Sequence, residues 1–374
     1  MVRQTHHAGS EPHPYVNMIS QGLLRRAGIS LVLALVTLGC GDAGAPSDVS
    51  QLRFLAMSAG VAHSCGRTSQ RTTYCWGNNS AGEIGAKTGE PVNSLPVQVV
   101  VRPLELTAVS AGATSSCGLL NTGMPLCWGS GESSPRPLDG GDNMLSVSAG
   151  EFICGISTDG TALCWDDQDG QPYQIQGPPF TMVSVGGIAC ALTADGAAWC
   201  WQKGSGVAEL VPGGLTFTSI TAGGAHACGV RSDGVAFCWG QNERGQLGDR
   251  TRISRASPDT VVGLPVWTQL SAGGVHSCGV ATDGEAYCWG EASFGRLGYD
   301  GPPPSGGYFS SPVRVRSAAL PASFQWTTVT AGSNHSCGAL ADGMAYCWGN
   351  NVMGQLGDGS TVASLGPIQI GAGQ

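Results

Sequence analysis

The 374-residue chain carries little charge, and the charge it has is mostly negative. Only 12% of its residues are Asp, Glu, Lys or Arg, and the formal net charge is −8. The longest run of basic residues is the pair Arg25-Arg26. Since proteins that bind phosphate backbones cluster Lys and Arg on one surface, the composition predicts no nucleic-acid partner.

Signatures of common enzyme and metal sites are also missing. The chain has no G-x-S-x-G nucleophile motif, no phosphate-binding P-loop and no H-E-x-x-H zinc motif, each of which marks a known chemistry. It has no C-x-x-C pair either, which argues against the common cysteine-based zinc sites. We therefore expect a protein that is not an enzyme and holds no cofactor and no metal.

Long apolar runs are lacking apart from one near the N-terminus. The stretch ISLVLALVTL (29–38) follows Arg25-Arg26 and is too short to span a bilayer as a helix. A basic segment, a short apolar stretch and a small residue together predict a secretory signal. No second such run follows, so we expect no membrane-spanning helix.

The end of this apolar stretch, Gly39-Cys40, resembles the lipobox of bacterial lipoproteins, where cleavage precedes a lipidated Cys. Thr37 stands where that box usually has Leu. We expect a signal peptide at 1–39, a lipidated tether at 40–52 and lipid attachment at Cys40 as the chain's only contact with a membrane. The alternative is an ordinary secretory signal with a chance Cys.

Glycine and cysteine, by contrast, are abundant, with 59 Gly and 15 Cys. Apart from Cys40, the cysteines fall into pairs that are each ten residues apart, and a Trp follows the second Cys of each pair. Recurrence at this scale indicates a repeat architecture rather than a single reactive site. The pairs are Cys65 with Cys75, Cys117 with Cys127, Cys154 with Cys164, Cys190 with Cys200, Cys228 with Cys238, Cys278 with Cys288, and Cys337 with Cys347.

The ten-residue spacing fits a β-hairpin. In Cys228-GVRSDGVAF-Cys238, Ser232-Asp233-Gly234 fits a three-residue loop with Gly in the left-handed conformation. Six units have Gly at that place, and Arg71 is the exception. Counting outward sets the two cysteines opposite each other, about 4.5 Å apart at Cα, which is short but allowed for a disulfide. In an exported protein we expect seven cross-strand disulfides, with buried reduced pairs as the alternative.

Each unit contains four strand-like segments, the content of a propeller blade. One segment precedes an Ala-Gly pair, as in 267–273, two form the hairpin, and one begins at a Pro, as in 96–100 and 312–315. We predict an all-β fold, a monomeric seven-bladed β-propeller of four-stranded blades over 53–374. If each Pro-led segment belongs to the hairpin that follows it, the first unit lacks one and the last has one to spare. We therefore expect the C-terminal segment PIQI (367–370) to close the ring by pairing into the first blade.

The repeat AGxxHSCG…DGxxYCWGxNxxGQLGDG, clearest at 222–249 and 331–359, resembles the repeat of the regulator of chromosome condensation. That resemblance implies a seven-bladed propeller, and the cysteines are typical of exported bacterial members. Units one, five, six and seven carry a G-x-(Leu/Ile)-G loop that units two to four lack. The same four units have a His two residues before the first Cys, at His63, His226, His276 and His335.

Two clusters of polar residues have a structural and a functional interpretation. The four His could meet in a central channel and bind zinc or copper. We favour instead a hydrogen bond from each His to a backbone carbonyl within its own blade. Asp166-Asp167-Gln168-Asp169-Gly170 resembles the start of a calcium loop but lacks the later ligands, so we favour a solvated turn.

The insertions at 87–96 and 299–312 are the best candidates for partner contacts, and Tyr308 and Phe309 offer an aromatic pair. We predict a non-catalytic protein-binding scaffold of the bacterial cell envelope, on the outer membrane or cell surface, or otherwise periplasmic or extracellular. An envelope enzyme or glycan-binding module with a channel site is the first alternative. A guanine-nucleotide exchange factor, the founding activity of the family, would require a cytoplasmic protein.

Overall fold

The computed structural model describes residues 49–101, 105–166, 170–263, 266–299, 301 and 305–372. They form β-strands in seven sheets and two single-turn 3₁₀ helices, η1 (Val49–Gln51) and η2 (Ser293–Gly295). No helix in these ranges is long and apolar enough to cross a membrane. The predicted signal peptide, Cys40 and most of the tether lie outside the described residues.

Each sheet is a blade of four antiparallel strands that pair in chain order. Blade 1 consists of β1 (Phe54–Ala59), β2 (His63–Thr68), β3 (Thr73–Asn78) and β4 (Val92–Gln98), and blade 2 of β5 (Leu106–Ala111), β6 (Ser115–Leu120), β7 (Pro125–Gly129) and β8 (Glu132–Pro137). Blade 3 consists of β9 (Met144–Ala149), β10 (Ile153–Ser157), β11 (Ala162–Trp165) and β12 (Tyr173–Gln174), and blade 4 of β13 (Phe180–Val185), β14 (Ile188–Thr193), β15 (Ala198–Gln202) and β16 (Glu209–Leu210).

Blades 5 to 7 follow the same plan, and all seven blades together confirm the predicted propeller. Blade 5 consists of β17 (Ser219–Ala222), β18 (His226–Val230), β19 (Ala236–Gly240) and β20 (Arg255–Thr260). Blade 6 consists of β21 (Trp267–Ala272), β22 (His276–Ala281), β23 (Ala286–Glu291) and β24 (Tyr308–Arg314), and blade 7 of β25 (Trp326–Ala331), β26 (His335–Leu340), β27 (Ala345–Gly349) and β28 (Ser364–Gln369).

The first strand of every blade lies at the centre of the ring, where its last residues line a narrow channel. In each of these strands a Ser or Thr hydroxyl accepts the backbone N–H of the corresponding Ala or Val in the next blade, as from Ala272 to Thr221 at 3.1 Å. These bonds join all seven blades in a closed circuit. The accepting hydroxyls belong to Ser58, Ser110, Ser148, Ser184, Thr221, Ser271 and Thr330.

A second circuit of backbone bonds runs through the Ala-Gly pairs beside the channel. The residue after each Gly donates its N–H to the Gly carbonyl of the next blade, as from Gly224 to Gly273 at 3.0 Å. A Cβ on Gly223 would lie 2.3 Å from that same carbonyl oxygen. The repeat therefore keeps Gly here because neighbouring backbones approach too closely for any side chain.

The expected closure by the C-terminal strand is wrong. That segment belongs to β28, which pairs with β27 in blade 7, and blade 1 has its own fourth strand, β4. Each Pro-led strand follows its hairpin instead of preceding it, so no strand is left over. The ring closes instead through the two circuits, where Ala59 N–H donates to Thr330 Oγ1 at 3.1 Å and Ser333 N–H donates to the Gly60 carbonyl at 3.1 Å.

All seven predicted cysteine pairs form disulfides between the second and third strands of their blades. The hairpin register is the one expected, with Arg231 N–H donating to the Val235 carbonyl and Gly234 at φ +78°. The two Cα atoms of each pair are 4.0–4.1 Å apart. Seven disulfides within one chain indicate an oxidising environment. They join Cys65 to Cys75, Cys117 to Cys127, Cys154 to Cys164, Cys190 to Cys200, Cys228 to Cys238, Cys278 to Cys288, and Cys337 to Cys347.

The core consists of seven hydrophobic clusters, and each fills the space between two neighbouring blades. The Trp after the second Cys is buried in every blade, from 0% exposed at Trp289 to 5% at Trp239. A blade is therefore apolar on both faces, as predicted, because each face packs against a neighbour in the ring.

Candidate functional site

The central channel contains a cavity of about 130 Å³ that is lined in each blade by an Ala-Gly pair, or Val185-Gly186 in blade 4, and by the residue that follows the pair. Backbone and small side chains make up most of this lining, and Glu151 supplies its one charged side chain. None of the four repeated His belongs to the described lining. The channel therefore does not bring the histidines together as a metal site would require.

The four repeated His are fully buried between blades and each contacts the next blade of the ring. Their Nε2 atoms lie 2.7–2.9 Å from a Ser hydroxyl of that blade. The expected bond to a carbonyl within the same blade is therefore wrong. The pairs are His63 with Ser116, His226 with Ser277, His276 with Ser336, and His335 with Ser64.

The hydrogen bonds of the Ser fix the tautomer of each His. Ser277 donates its only hydrogen to the Gln246 carbonyl at 2.8 Å, so its hydroxyl must accept from Nε2–H of His226. The Nδ1 atom of His226 then carries a lone pair, and it has no hydrogen-bond partner among the described residues. The other three His–Ser pairs repeat this arrangement.

Burial keeps these imidazoles neutral. It lowers the pKa of His63 and His226 to about 4 and, with help from nearby charge, that of His335 to about 3. The pKa of His276 is lowered well below 6.5, first by burial and then by the Arg296 guanidinium. The part of the chain that the structure describes contains no cluster of three His, Cys, Asp or Glu able to hold a metal ion. These histidines are structural donors.

The Ser partners could not be recognised within a single repeat, because each Ser lies in the blade after the one that contains its His. A Ser precedes the first Cys in blades 1, 2, 6 and 7, and the His occurs in blades 1, 5, 6 and 7. Blade 5 has a His but Ala227 beside its Cys, because blade 4 has no His to meet it. Blade 2 has Ser116 without a His of its own. Comparing each repeat with its successor would have revealed the pairing.

The G-x-(Leu/Ile)-G loop completes the same junction. It lies between the third and fourth strands, and the carbonyl of its second residue accepts both the Ser hydroxyl and the indole N–H of the next blade's Trp. The Trp289 indole, for example, donates to the Gln246 carbonyl at 2.8 Å. The four indole bonds are Trp76 to Gln355, Trp128 to Glu83, Trp289 to Gln246 and Trp348 to Arg296.

Blades 2 to 4 replace these loops with shorter connections, as the sequence predicts. Their third and fourth strands are joined by residues 130–131, 166–172 and 203–208. Residues 167–169 of the calcium-like segment lie outside the described residues. Its first carboxylate, Asp166, accepts a hydrogen bond from the Tyr173 hydroxyl at 3.2 Å.

The two insertions proposed for partner contacts are partly built into the blades. Residues 308–312 of the second insertion form the start of β24, and 300 and 302–304 lie outside the described residues. The Arg252 guanidinium lies over the Tyr308 ring, with its Cζ atom 4.7 Å from the ring centroid. Phe309 packs edge-on against Tyr299, with the two ring centroids 5.1 Å apart. In the first insertion, β4 begins at Val92, and the Asn79 side-chain amide donates a hydrogen bond to the Glu90 carbonyl in the loop before this strand.

Among the described residues, five of the eight large apolar side chains that are more than half exposed lie in blades 5 to 7. These five lie at or beside the connections between third and fourth strands, which end on one face of the ring. They are large, and each is more than half exposed. The residues are Ile253 (64%), Phe294 (53%), Val352 (63%), Val362 (72%) and Leu365 (66%).

Comparison with protein families identifies the repeat. Two models of the Regulator of chromosome condensation (RCC1) repeat match the chain. One matches 54–83, 217–246, 267–296 and 326–355, which are parts of blades 1, 5, 6 and 7. The other matches 233–280, 283–339 and 342–373. No curated protein sequence is significantly similar to the chain.

Several solved structures share the fold at low sequence identity. Prp20p of Saccharomyces cerevisiae, described with its binding to Gsp1p and histones, has a TM-score of 0.69 at 17% identity over 86% of this chain and 88% of its own. Human WBSCR16 has a TM-score of 0.70 at 16% identity over 80% and 93%. The CRINKLY WD40 ectodomain of the Arabidopsis thaliana receptor kinase ACR4 has 0.52 at 23% over 80% and 96%.

Proposed function

Because the chain is an RCC1-repeat protein in which a disulfide braces every blade, we propose that it is a non-catalytic protein-binding scaffold of the bacterial cell envelope. A lipid on Cys40 would hold it there. Export is supported by the buried disulfides, which persist in oxidising compartments. Protein binding is supported by the fold, since Prp20p is described as binding Gsp1p and histones.

The exposed apolar face of blades 5 to 7 carries this proposal. Large apolar side chains that share one face of a soluble protein mark interaction sites more often than scattered ones do. Here they project from loops whose bases are fixed by the His–Ser bonds and by buried aliphatic residues such as Leu247 and Leu297. A rigid base reduces the entropy that a partner must overcome on binding.

Phe294 is the strongest single feature of that face. It is 53% exposed and has φ +63°, a left-handed conformation that costs a non-glycine residue about 1 kcal/mol. Its neighbour Gly295 packs against Leu365 of blade 7, which holds the turn in place. A strained backbone that displays an aromatic ring to solvent is typical of a recognition site.

The channel supports the non-catalytic part of the proposal. Its cavity of about 130 Å³ offers backbone groups and small side chains, with Glu151 as the one charged group among the described lining residues. A general acid and base, or a nucleophile with its base, needs convergent titratable groups. The oxidised blades likewise favour an exported scaffold over a cytoplasmic exchange factor.

Capture from envelope extracts tests the proposal. Full-length protein, purified oxidised in detergent, is immobilised beside a variant with Phe294, Val352 and Leu365 each changed to Ser. A control variant carries Leu55→Ser and Leu145→Ser, which remove equally exposed apolar groups from the first strands of blades 1 and 3. We expect one protein to be retained by the wild type and the control but lost from the loop variant. Retention of no protein would contradict a scaffold function.

A further inference from the structure

The junction between blades 4 and 5 lacks a side chain that the four regular junctions have. In each regular junction an aliphatic residue of the loop fills the space between the disulfide of its own blade and the Trp of the next. Leu247, for example, packs with Cys228, Cys238 and Trp289. These side chains are 0–1% exposed, and they are Ile84, Leu247, Leu297 and Leu356.

Blade 4 has no such loop, and a groove opens where it would lie. The groove encloses about 390 Å³. Cys200 of the blade 4 disulfide and Trp239 of blade 5 both line it, together with Ile188 and Val207. The disulfide and the Trp are the two groups that the aliphatic loop residue covers in the regular blades.

The exposure of the surrounding residues confirms that this junction is open. Thirteen of the fourteen disulfide cysteines are 0% exposed, and Cys200 alone is partly exposed. Val211 follows the fourth strand of blade 4 and is also partly exposed, whereas its counterparts in the other six blades are at most 3% exposed. Those counterparts are Val99, Leu138, Ile175, Val261, Val315 and Ile370.

The groove also contains an unused hydrogen-bond donor. Trp239 is 95% buried, being 5% exposed, and its indole N–H has no acceptor among the described residues. Its counterparts in blades 1, 2, 6 and 7 each donate to a loop carbonyl at 2.8–3.0 Å. Unlike the Trp201 indole nitrogen, which is buried without a partner, the Trp239 indole nitrogen is open to the groove, so a ligand that offers a carbonyl can reach it.

The other two short junctions do not offer this combination. Between blades 2 and 3, Leu138 packs against the disulfide and the Trp165 indole donates to the Asp139 carbonyl at 2.9 Å. Between blades 3 and 4, the Trp201 indole nitrogen is buried without a partner, so a ligand has no access to it. Among the described residues, an accessible donor beside an uncovered disulfide occurs between blades 4 and 5.

We propose that this groove binds a short extended segment of a partner protein that takes the place of the missing loop. The segment presents a backbone carbonyl to the Trp239 indole and an aliphatic side chain, Leu or Ile, to the disulfide between Cys190 and Cys200. Glu209 is the only charged side chain in the described lining, so a basic residue next to the aliphatic one is favoured. This inference rests on the proposed scaffold function and gives it a second, defined site.

A peptide with the sequence of residues 292–299, ASFGRLGY, is the probe, since it contains the Gly-Arg-Leu-Gly loop of blade 6. It is titrated into oxidised full-length protein labelled with ¹⁵N at the Trp indoles, and the N–H resonances are followed by NMR. We expect the Trp239 resonance to shift with a Kd in the millimolar range, since a linear peptide loses much of its interaction energy to ordering. The same peptide with Ser at the Leu position should bind at least about tenfold more weakly, the effect of losing about 1.4 kcal/mol.

Two matched variants control this experiment. Trp239→Phe should lose the shifted resonance and weaken binding measured at the other groove residues. Trp289→Phe removes the equivalent indole of blade 6, which is already bonded to Gln246, and should bind the peptide like the wild type. The remaining indole resonances report whether each variant is folded. The groove proposal would be overturned if the Trp239 indole resonance did not shift at saturating peptide, or if both variants bound the peptide equally.

The groove and the scaffold can fail separately. If a captured partner is retained by Trp239→Phe and the peptide does not bind, the scaffold stands and the groove is wrong. If the peptide binds as described and no envelope protein is captured, the groove stands and the scaffold function is wrong.

Discussion

Acid should lower the unfolding free energy of this propeller at a pH above that at which its carboxylates are protonated, because the junctions between blades depend on neutral histidines. The perturbation is a change from about pH 7 to about pH 5. In the folded protein, burial lowers the pKa of His63 and His226 to about 4 and that of His335 to about 3. In the unfolded chain each imidazole returns to its ordinary pKa near 6.5. Between these values the unfolded chain binds more protons, so stability falls as pH falls.

The magnitude follows from the difference between the two pKa values. One pH unit corresponds to about 1.4 kcal/mol for each group that is protonated only in the unfolded chain. From pH 6.5 to about 5, His63, His226 and His335 therefore each contribute a loss of about 2 kcal/mol. Together these three remove up to about 6 kcal/mol, a large part of the stability of an ordinary domain, and the lowered pKa of His276 acts in the same direction. Below about pH 4 the loss levels off, because the folded histidines then bind protons too.

The charges around the histidines act in the same direction as burial. Burial is the largest cause of the lowered pKa of His276 and His335, and the Arg296 guanidinium and neighbouring histidines lower it further. Burial alone would raise the pKa of Asp249, but hydrogen bonds from Thr251 and Arg255 outweigh it and leave that pKa below its ordinary value. Asp249 therefore contributes to acid sensitivity only at lower pH, outside this window.

Urea unfolding at several pH values, followed by tryptophan fluorescence, measures this effect. We expect the unfolding free energy to fall steadily from about pH 6.5 to 4. In His226→Asn the fall between about pH 7 and 5 should be smaller by about 2 kcal/mol, although the variant starts from a lower stability. Constant stability over this range, or an unchanged pH dependence in the variant, would refute the assignment of neutral buried imidazoles.

The junctions support three further predictions. Ser277→Ala should lower the unfolding free energy by about 2–3 kcal/mol, because His226 loses its hydrogen-bond acceptor and the Gln246 carbonyl loses one of its donors. The control Ser232→Ala, in an exposed turn, should have little effect in the same urea titration. Gly223→Ala should cost about 1–3 kcal/mol, since its Cβ would lie 2.3 Å from the Gly273 carbonyl, and Gly366→Ala, with its nearest contact at 3.1 Å, should cost less. Mild reduction should open the disulfide between Cys190 and Cys200 before the others, because Cys200 alone is partly exposed; alkylation and peptide mapping would contradict this if a fully buried pair reacted first.

The periodic features of the fold could be predicted from the sequence, because they lie within one repeat. The ten-residue spacing and Gly234 determine the hairpin, and the hairpin places Cys228 opposite Cys238. The Trp after the second Cys predicts a sheet that is buried on both faces. These inferences depend on contacts between residues less than a dozen positions apart, where turn geometry leaves few alternatives.

The errors concern relations between repeats. A repeating sequence does not show where a unit begins, so the Pro-led strand was assigned to the following hairpin rather than the preceding one. The partner of each His lies about one repeat further along, as Ser277 lies 51 positions after His226. The open junction beside Trp239 could not be predicted either, because a missing loop leaves no motif of its own.

The same loops that seal the regular junctions determine where the molecule can accept a partner. A buried Leu and a bonded indole make a regular junction self-sufficient, so only the outer tips of its loop, such as Phe294, are free for recognition. The junction beside Trp239 has the same disulfide and the same indole but no residue to cover them. A partner that engages both places would contact one face through apolar tips and insert a segment between two blades. Since the groove and the loop tips belong to one ring, a single partner that engages both would bind more tightly than through either contact alone.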